Sequence, residues 1–265
     1  MTEPRPLGRV VNHDPRSLQY LAEADGVVAS ARWTRDTPVL DQGQIGSCTG
    51  NAAAGTLGTD PYYATLPHVT LDETTALALY SAAEKIDGGA GYPPEDQGSS
   101  GLSVAKAAKN AGYIAGYTHI TSIAAAHTAI TSGPFIVGSD WYEGFDTPDP
   151  NGLVTITGSV RGGHEYECIG YNAATDLWEF VNSWGTSYGV GGHFFYTSAT
   201  FTALLASQGD ATVFIPLGQP APTPIPVDAD HALAAVAHDW VSEHHVGDNH
   251  RMQLALQAWL AAKGL

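Results

Sequence analysis

Between Asp41 and Asn51 the chain reads Asp-Gln-Gly-Gln-Ile-Gly-Ser-Cys-Thr-Gly-Asn. A glycine-rich, turn-forming approach leads to a single thiol, Cys48, and then to a run of small residues, Asn51 to Ala54, that reads as helix to about Gly58. A thiol in the first turn of a helix faces unpaired backbone N–H groups and the positive end of the dipole, which favour negative charge. The expectation is a lowered thiol pKa and more thiolate, the nucleophilic form. Gln42, six residues upstream on the same loop, is placed to aim an amide N–H at the same point. One reading is a nucleophile with half of an oxyanion hole. The other is an inert, half-buried small hydrophobe, the commoner fate of a lone cysteine.

A nucleophilic thiol needs a base for its proton, and the base needs an orienting partner. His164 follows Gly162-Gly163 and opens an apolar run to Tyr171, so it projects from the rim of a sheet. Asn182 ends the next run, Trp178 to Ser183. If the two strands pair antiparallel across the Asn172–Asp176 turn, their outer ends meet. Asn182 then accepts a proton from one His164 nitrogen while the other faces Cys48, and Trp184 covers the contact from water.

These residues have to be held by two different kinds of structure. The first half reads as helical: from Cys48 to about Gly58, from Leu71 to Ala83 with Asp72 near its start, and from Ser103 to Asn110 closed by Gly112. The second half reads as strands at 113–120, 135–138, 153–157, 164–171, 177–183 and 192–197, with one helix over 123–130. Helices then strands imply an α+β fold with two segregated lobes. The expected division is a lead-in at 1–37, a body at 38–217 (lobes about 38–115 and 116–217), a proline-rich linker at 218–229 and a helical hairpin at 230–265. The linker alternates Pro220, Pro222, Pro224 and Pro226, which makes an extended, stiff tether.

Gln-Gly-x-x-Gly-Ser-Cys, then Gly-His with an apolar strand ending Gly-Tyr, then Asn-Ser-Trp-Gly-x-x-x-Gly-x-x-Gly, in that order, resembles the papain-like cysteine peptidases. About 115 residues separate the Cys from the His, and the Asn follows 18 after the His. The resemblance covers roughly residues 33–200 and implies a helical left lobe carrying the Cys, a β-barrel right lobe carrying His and Asn, and a cleft between them. It implies Cys48 as nucleophile, His164 as general acid and base, Asn182 as its orienter and Gln42 as oxyanion donor, with Trp184 in support. Gly98, Ser99 and Ser100 resemble the segment that pairs with substrate backbone by β-augmentation; the same four residues to Gly101 also suit a plain helix-entry turn. Glu165, just after the His, implies a pocket for the second substrate side chain before the scissile bond. A carboxylate there favours Lys or Arg, unless it pairs with Arg161. Two departures stand out: Ile45 where many secreted relatives have a disulfide Cys, and Thr49 where a Trp usually follows the nucleophile. Both suit a reduced, disulfide-free variant of bacterial or phage type. Only 47 residues precede Cys48, too few for the long helical inhibitory propeptide, so the enzyme is made active or the lead-in or tail covers the cleft.

Composition narrows the alternatives. A net charge of −16 with 11 Lys+Arg argues against nucleic acid and anionic membranes as partners. No signal-peptide pattern opens the chain and no apolar window approaches a membrane span. The expectation is a soluble protein, cytoplasmic or virion-associated. No cofactor or metal is expected. The tail histidines His231, His238, His244, His245 and His250 lack a close paired spacing, and Asp140, Asp146, Asp149 and Asn151 do not follow an EF-hand pattern. Cys168 reads as core, and the hairpin, with Trp240 and Trp259, as an oligomerisation or docking element. The reading is a cysteine endopeptidase acting on protein or peptide. Its alternatives are a peptidoglycan-directed amidase or endopeptidase, and a silent papain-like binding module.

Overall fold

The computed structural model describes residues 5–224 apart from 13 and 67. The hairpin at 230–265 and its histidines and tryptophans lie outside the described residues.

Three helices build the left lobe. α1 (Cys48–Leu57) is made of small residues, and all ten are buried. It packs against α2 on one side and against the sheet strand β4 on the other. α2 (Glu73–Ile86) starts where Asp72 accepts hydrogen bonds from the Thr74 and Thr75 N–H groups, and α3 (Gly101–Asn110) where Ser100 accepts from Ser103 N–H; both are side-chain N-caps. Leu57, Leu71, Leu79, Val104 and alanines from all three helices close one apolar core.

The right lobe is an antiparallel sheet. Its strands are β1 (Ala31–Arg32), β2 (Gly116–Ile120), β3 (Phe135–Tyr142), β4 (Val160–Asn172), β5 (Leu177–Val181), β6 (His193–Thr197) and β7 (Asp210–Ile215). They run in the order β2-β7-β3-β4-β5-β6, with β1 on β4. Helices α4 (Ile123–Ser132) and α5 (Ser198–Ala206) pack on the lobe. A second core, rich in aromatics (Trp141, Tyr166, Trp178, Phe180, Phe194, Tyr196, Phe201), lies here. Burying each such ring is worth roughly 1.5–3 kcal/mol, so strand register is tightly held.

The four helices expected between residues 48 and 130 are all present, each within a few residues. Five of the six expected strands form. Residues 153–157 instead make only a single bridge, Leu153 to Phe195. α5 and β7 were not expected. The apolar residues of α5 (Ala199, Phe201, Ala203, Leu204, Leu205, Ala206) crowd together without a helical stripe, which hides its period. The lead-in is woven into the body: β1 pairs with β4, and Trp33 Nε1–H donates to the Ile130 carbonyl at 2.8 Å.

Candidate active site

Each candidate side chain is placed by a different element. Cys48 is the first residue of α1, and His164 lies in β4. Asn182 directly follows β5, which pairs with β4 through Glu167–Val181. His164 was expected to open its strand at the sheet rim. It is instead an inner residue of β4, which begins at Val160 and pairs His164 with Ser139 of β3, while the antiparallel β4–β5 pairing still brings it to Asn182. His164 Nε2–H donates to Asn182 Oδ1 at 2.8 Å, and the Ser183 N–H donates to the same oxygen at 2.7 Å. With Nε2 engaged, Nδ1 is the free nitrogen of the ring; it is buried and has no hydrogen-bond partner. Two indoles enclose the imidazole. Trp184 lies at 5.0 Å between centroids, tilted 35°, and Trp141 stands edge-on at 4.7 Å. Trp141 lay outside the strand expected at 135–138 and is brought in because β3 runs on to Tyr142.

Cys48 Sγ lies against the backbone N–H groups of Glu165, Gly8 and Thr49. Gln42, on the loop ahead of the thiol, is fixed at both ends of its amide: its Oε1 accepts from Ser183 Oγ at 2.6 Å, and its Nε2 donates to Ile45 O at 2.8 Å and to Pro6 O at 3.4 Å. The loop ahead of the thiol is fixed from behind by Asp96, which accepts from Gly46 N–H at 3.0 Å and from the Tyr80 hydroxyl at 2.6 Å. The Tyr80 oxygen in turn accepts from Gly98 N–H at 2.9 Å. Asp96 and Tyr80 therefore tie the Cys48 approach loop to the Gly98–Ser100 segment, a link between residues 50 positions apart.

The lead-in runs through this site. Arg9 N–H donates to the Gly163 carbonyl at 3.0 Å, Val10 N–H to the Ser99 carbonyl at 2.8 Å, and Ser99 N–H to the Gly8 carbonyl at 2.8 Å. Arg9 and Ser99 thus form a parallel bridge. A Cβ on Gly8 would sit 1.8 Å from the Gly46 carbonyl, so only glycine permits this approach. At Gly98–Gly101, Ser100 caps α3, as a helix-entry turn does, while Ser99 pairs its backbone with the chain's own lead-in.

This cover reverses the electrostatics expected at the helix terminus. Cys48 and His164 are both fully buried. Burial pushes the Cys48 thiol up to about 12, outweighing the N–H groups around it. Burial likewise holds His164 down to about 4, against the raising effect of Asn182. The lowered thiol pKa inferred from the helix N-terminus is not found in this covered state, because exclusion of water outweighs the dipole. The pair is neutral here.

Glu165 is fully buried and does not meet Arg161, which binds Asp146 and the Arg5 carbonyl instead. Its neighbour is Arg9, from the lead-in, with Nε 3.8 Å from Glu165 Oε2. Arg9 and Asp210, the residues that complete this corner, were absent from the sequence reading. Both belong to segments with no motif. Cys168 is a buried free thiol in β4. Among the described residues no group of three or more His, Cys, Asp or Glu side chains is arranged to hold a metal, and no helix is long and apolar enough to cross a membrane.

A helical lobe bearing a buried thiol, joined to an antiparallel sheet bearing a His–Asn pair, defines a papain-like architecture. The sequence model of the papain family cysteine proteases matches residues 71–208, just over half of the chain. The chain belongs to that family and is a cysteine peptidase. The crystal structure of xylellain, a cysteine protease from Xylella fastidiosa, is similar over 82% of this chain and 99% of that one, with a TM-score of 0.63 at 20% identity. Digestive procathepsin L 3 from the larval midgut of Tenebrio molitor is similar over 80% and 76%, with a TM-score of 0.55 at 17% identity. At these identities the likeness is one of fold. No curated protein sequence matches the chain.

Proposed function

We propose that the chain is an endopeptidase in which Cys48 is the nucleophile, His164 the general acid and base, Asn182 the orienter and Gln42 the oxyanion donor, on a peptidase body of residues 38–217. The observation that carries this reading is the His164 ring, with Nε2 on Asn182 and Nδ1 buried and unpartnered on the strand whose next N–H faces Cys48 Sγ. Once water reaches the site, the thiol proton passes to His164, and the cation and helix terminus stabilise the thiolate. Sγ attacks the peptide carbonyl carbon, and the Gln42 amide receives the developing oxyanion. The C–N bond breaks as His164 gives its proton to the leaving amine. Water, deprotonated by His164, then releases the acyl group from sulfur. Gly98, Ser99 and Ser100 hold substrate backbone, as Ser99 holds the lead-in, and Glu165 favours a basic side chain second before the scissile bond.

The test is hydrolysis of casein and of purified peptidoglycan by the chain and by Cys48→Ala, after the lead-in has been loosened as described below. Casein cleavage lost in Cys48→Ala supports the endopeptidase; cleavage confined to peptidoglycan replaces it with a wall hydrolase. Cleavage of neither leaves a binding module.

A further inference from the structure

Where α1 meets β4 and the end of β5 there is a small cavity of about 10 Å³, roughly the room that one water needs. Arg35, Asn51, Glu167, Asn182 and Ser183 bring polar groups to its wall. Arg35 and Glu167 pair with each other, and the Ser183 hydroxyl donates to Gln42. The two asparagines are left incomplete. Asn182 Nδ2 and Asn51 Oδ1 are both buried, and neither has a hydrogen-bond partner among the described residues. A neighbour of a single sense fixes each amide. The Ser183 N–H can only donate, so the Asn182 atom it meets is the oxygen, and Nδ2 is turned away. The Ser47 carbonyl can only accept, so the Asn51 atom 3.1 Å from it is the nitrogen, and Oδ1 is left over. One orphan is a donor and the other an acceptor, on residues that line one water-sized space. The Tyr188 hydroxyl, also near the Asn182 amide, donates to the Phe145 carbonyl at 2.7 Å.

We propose that this cavity binds one structural water, which accepts from Asn182 Nδ2–H and donates to Asn51 Oδ1, and that Asn51 is thereby a positioning residue for His164. A buried water of this kind satisfies polar groups that have no other partner. The His164 and Ser183 bonds hold only the oxygen end of the Asn182 amide; the water holds the nitrogen end. With both ends held, the amide cannot turn. Nε2 of His164 then keeps its proton, and Nδ1 stays free to take one from the thiol. Asn51 lies one turn after Cys48 on α1, so the helix that carries the thiol also sets, through the water, the tautomer of its base. The kinetic consequence rests on the endopeptidase reading; the water and the tautomer do not.

Three measurements test this. A high-resolution crystal structure of the full chain is expected to show one ordered water about 2.7–3.2 Å from both Asn182 Nδ2 and Asn51 Oδ1, and it decides the site even if a variant folds poorly. Asn51→Leu keeps the shape and removes the acceptor. Asn51→Asp keeps an acceptor: beside Glu73 the introduced carboxyl stays protonated, donates to the Ser47 carbonyl and leaves its C=O for the water. Nitrogen-15 NMR of histidine-labelled protein, with the signal assigned by its loss in His164→Ala, reads the tautomer. The wild type and Asn51→Asp are expected in the Nε2–H form, and Asn51→Leu in a mixture with Nδ1–H. On the Arg9→Ala background, Asn51→Leu is expected to lower kcat for a peptide substrate on the order of tenfold with little change in KM, and Asn51→Asp to restore most of it. A dry cavity, an Asn182 amide bonded to Tyr188 instead, an unchanged tautomer in Asn51→Leu, or an Asn51→Asp that behaves as Asn51→Leu does overturns the assignment. The expected water and tautomers without hydrolysis of any peptide would instead overturn the endopeptidase reading and leave the water site standing.

Discussion

Replacing Arg9 with Ala should expose Cys48 without unfolding the protein. The lead-in crosses the thiol on three backbone hydrogen bonds, from Arg9, Val10 and Ser99 N–H groups. At about 1 kcal/mol each these contribute about 3 kcal/mol to the covered state. Losing one partner of a buried ion pair costs about 3–5 kcal/mol, since the remaining charge is left uncompensated. Taking 3 kcal/mol for the Arg9–Asp210 pair, lifting the segment costs about 6 kcal/mol, an open fraction on the order of 10⁻⁴ at 1.4 kcal/mol per factor of ten. In Arg9→Ala the covered state loses about half of this, and the open fraction rises roughly 100-fold. The assay is the rate of iodoacetamide labelling, read by intact mass and peptide mapping. Cys168 is the internal control, since it is buried within β4 and is reached only by general unfolding. Labelling of Cys48 accelerated roughly 100-fold with Cys168 unchanged is the expected result. A change under threefold means that Arg9 does not hold the segment; parallel acceleration of both cysteines means that the lead-in is inseparable from the fold.

Acid should loosen the same cover. His164 is held down to about 4 while buried, against about 6.5 in water. Proton binding therefore favours the open state as pH falls from about 6.5 to about 4, by about 3 kcal/mol at the lower end. A dipyridyl disulfide, which reacts with thiols at acid pH, should label Cys48 faster across that window in the wild type, and should lose this dependence in His164→Ala. Asn182→Ala frees the imidazole to rotate, and on the Arg9→Ala background it should lower kcat on the order of 100-fold with little change in KM. Arg35→Met tests the buried pair between the lead-in and β4, where Arg35 Nη1 binds Glu167, which also accepts from Thr59 Oγ1. Stranding Glu167 should cost about 3–5 kcal/mol, seen as a fall of about 10 °C in Tm, whereas Arg35→Met/Glu167→Gln should recover much of it.

The residues proposed to carry the chemistry were legible because each announces itself locally. Cys48 follows a glycine-rich loop and opens a small-residue helix, His164 heads an apolar run within β4, and Asn182 directly follows β5. A turn of a few residues suffices to bring the last two together. The helical first half and β-rich second half were legible for the same reason, since apolar periodicity is a local property. The tertiary structure alone decided what covers the thiol. Gly8, Arg9 and Ser99 come together across about 90 residues, and Arg9 and Asp210 across about 200, and no periodicity encodes a contact between such distant segments. The protonation of the pair was decided the same way. A helix N-terminus read from sequence argues for a thiolate, but whether Cys48 and His164 are charged depends on water, and water is excluded by a segment whose place in the cleft exists only in the folded chain.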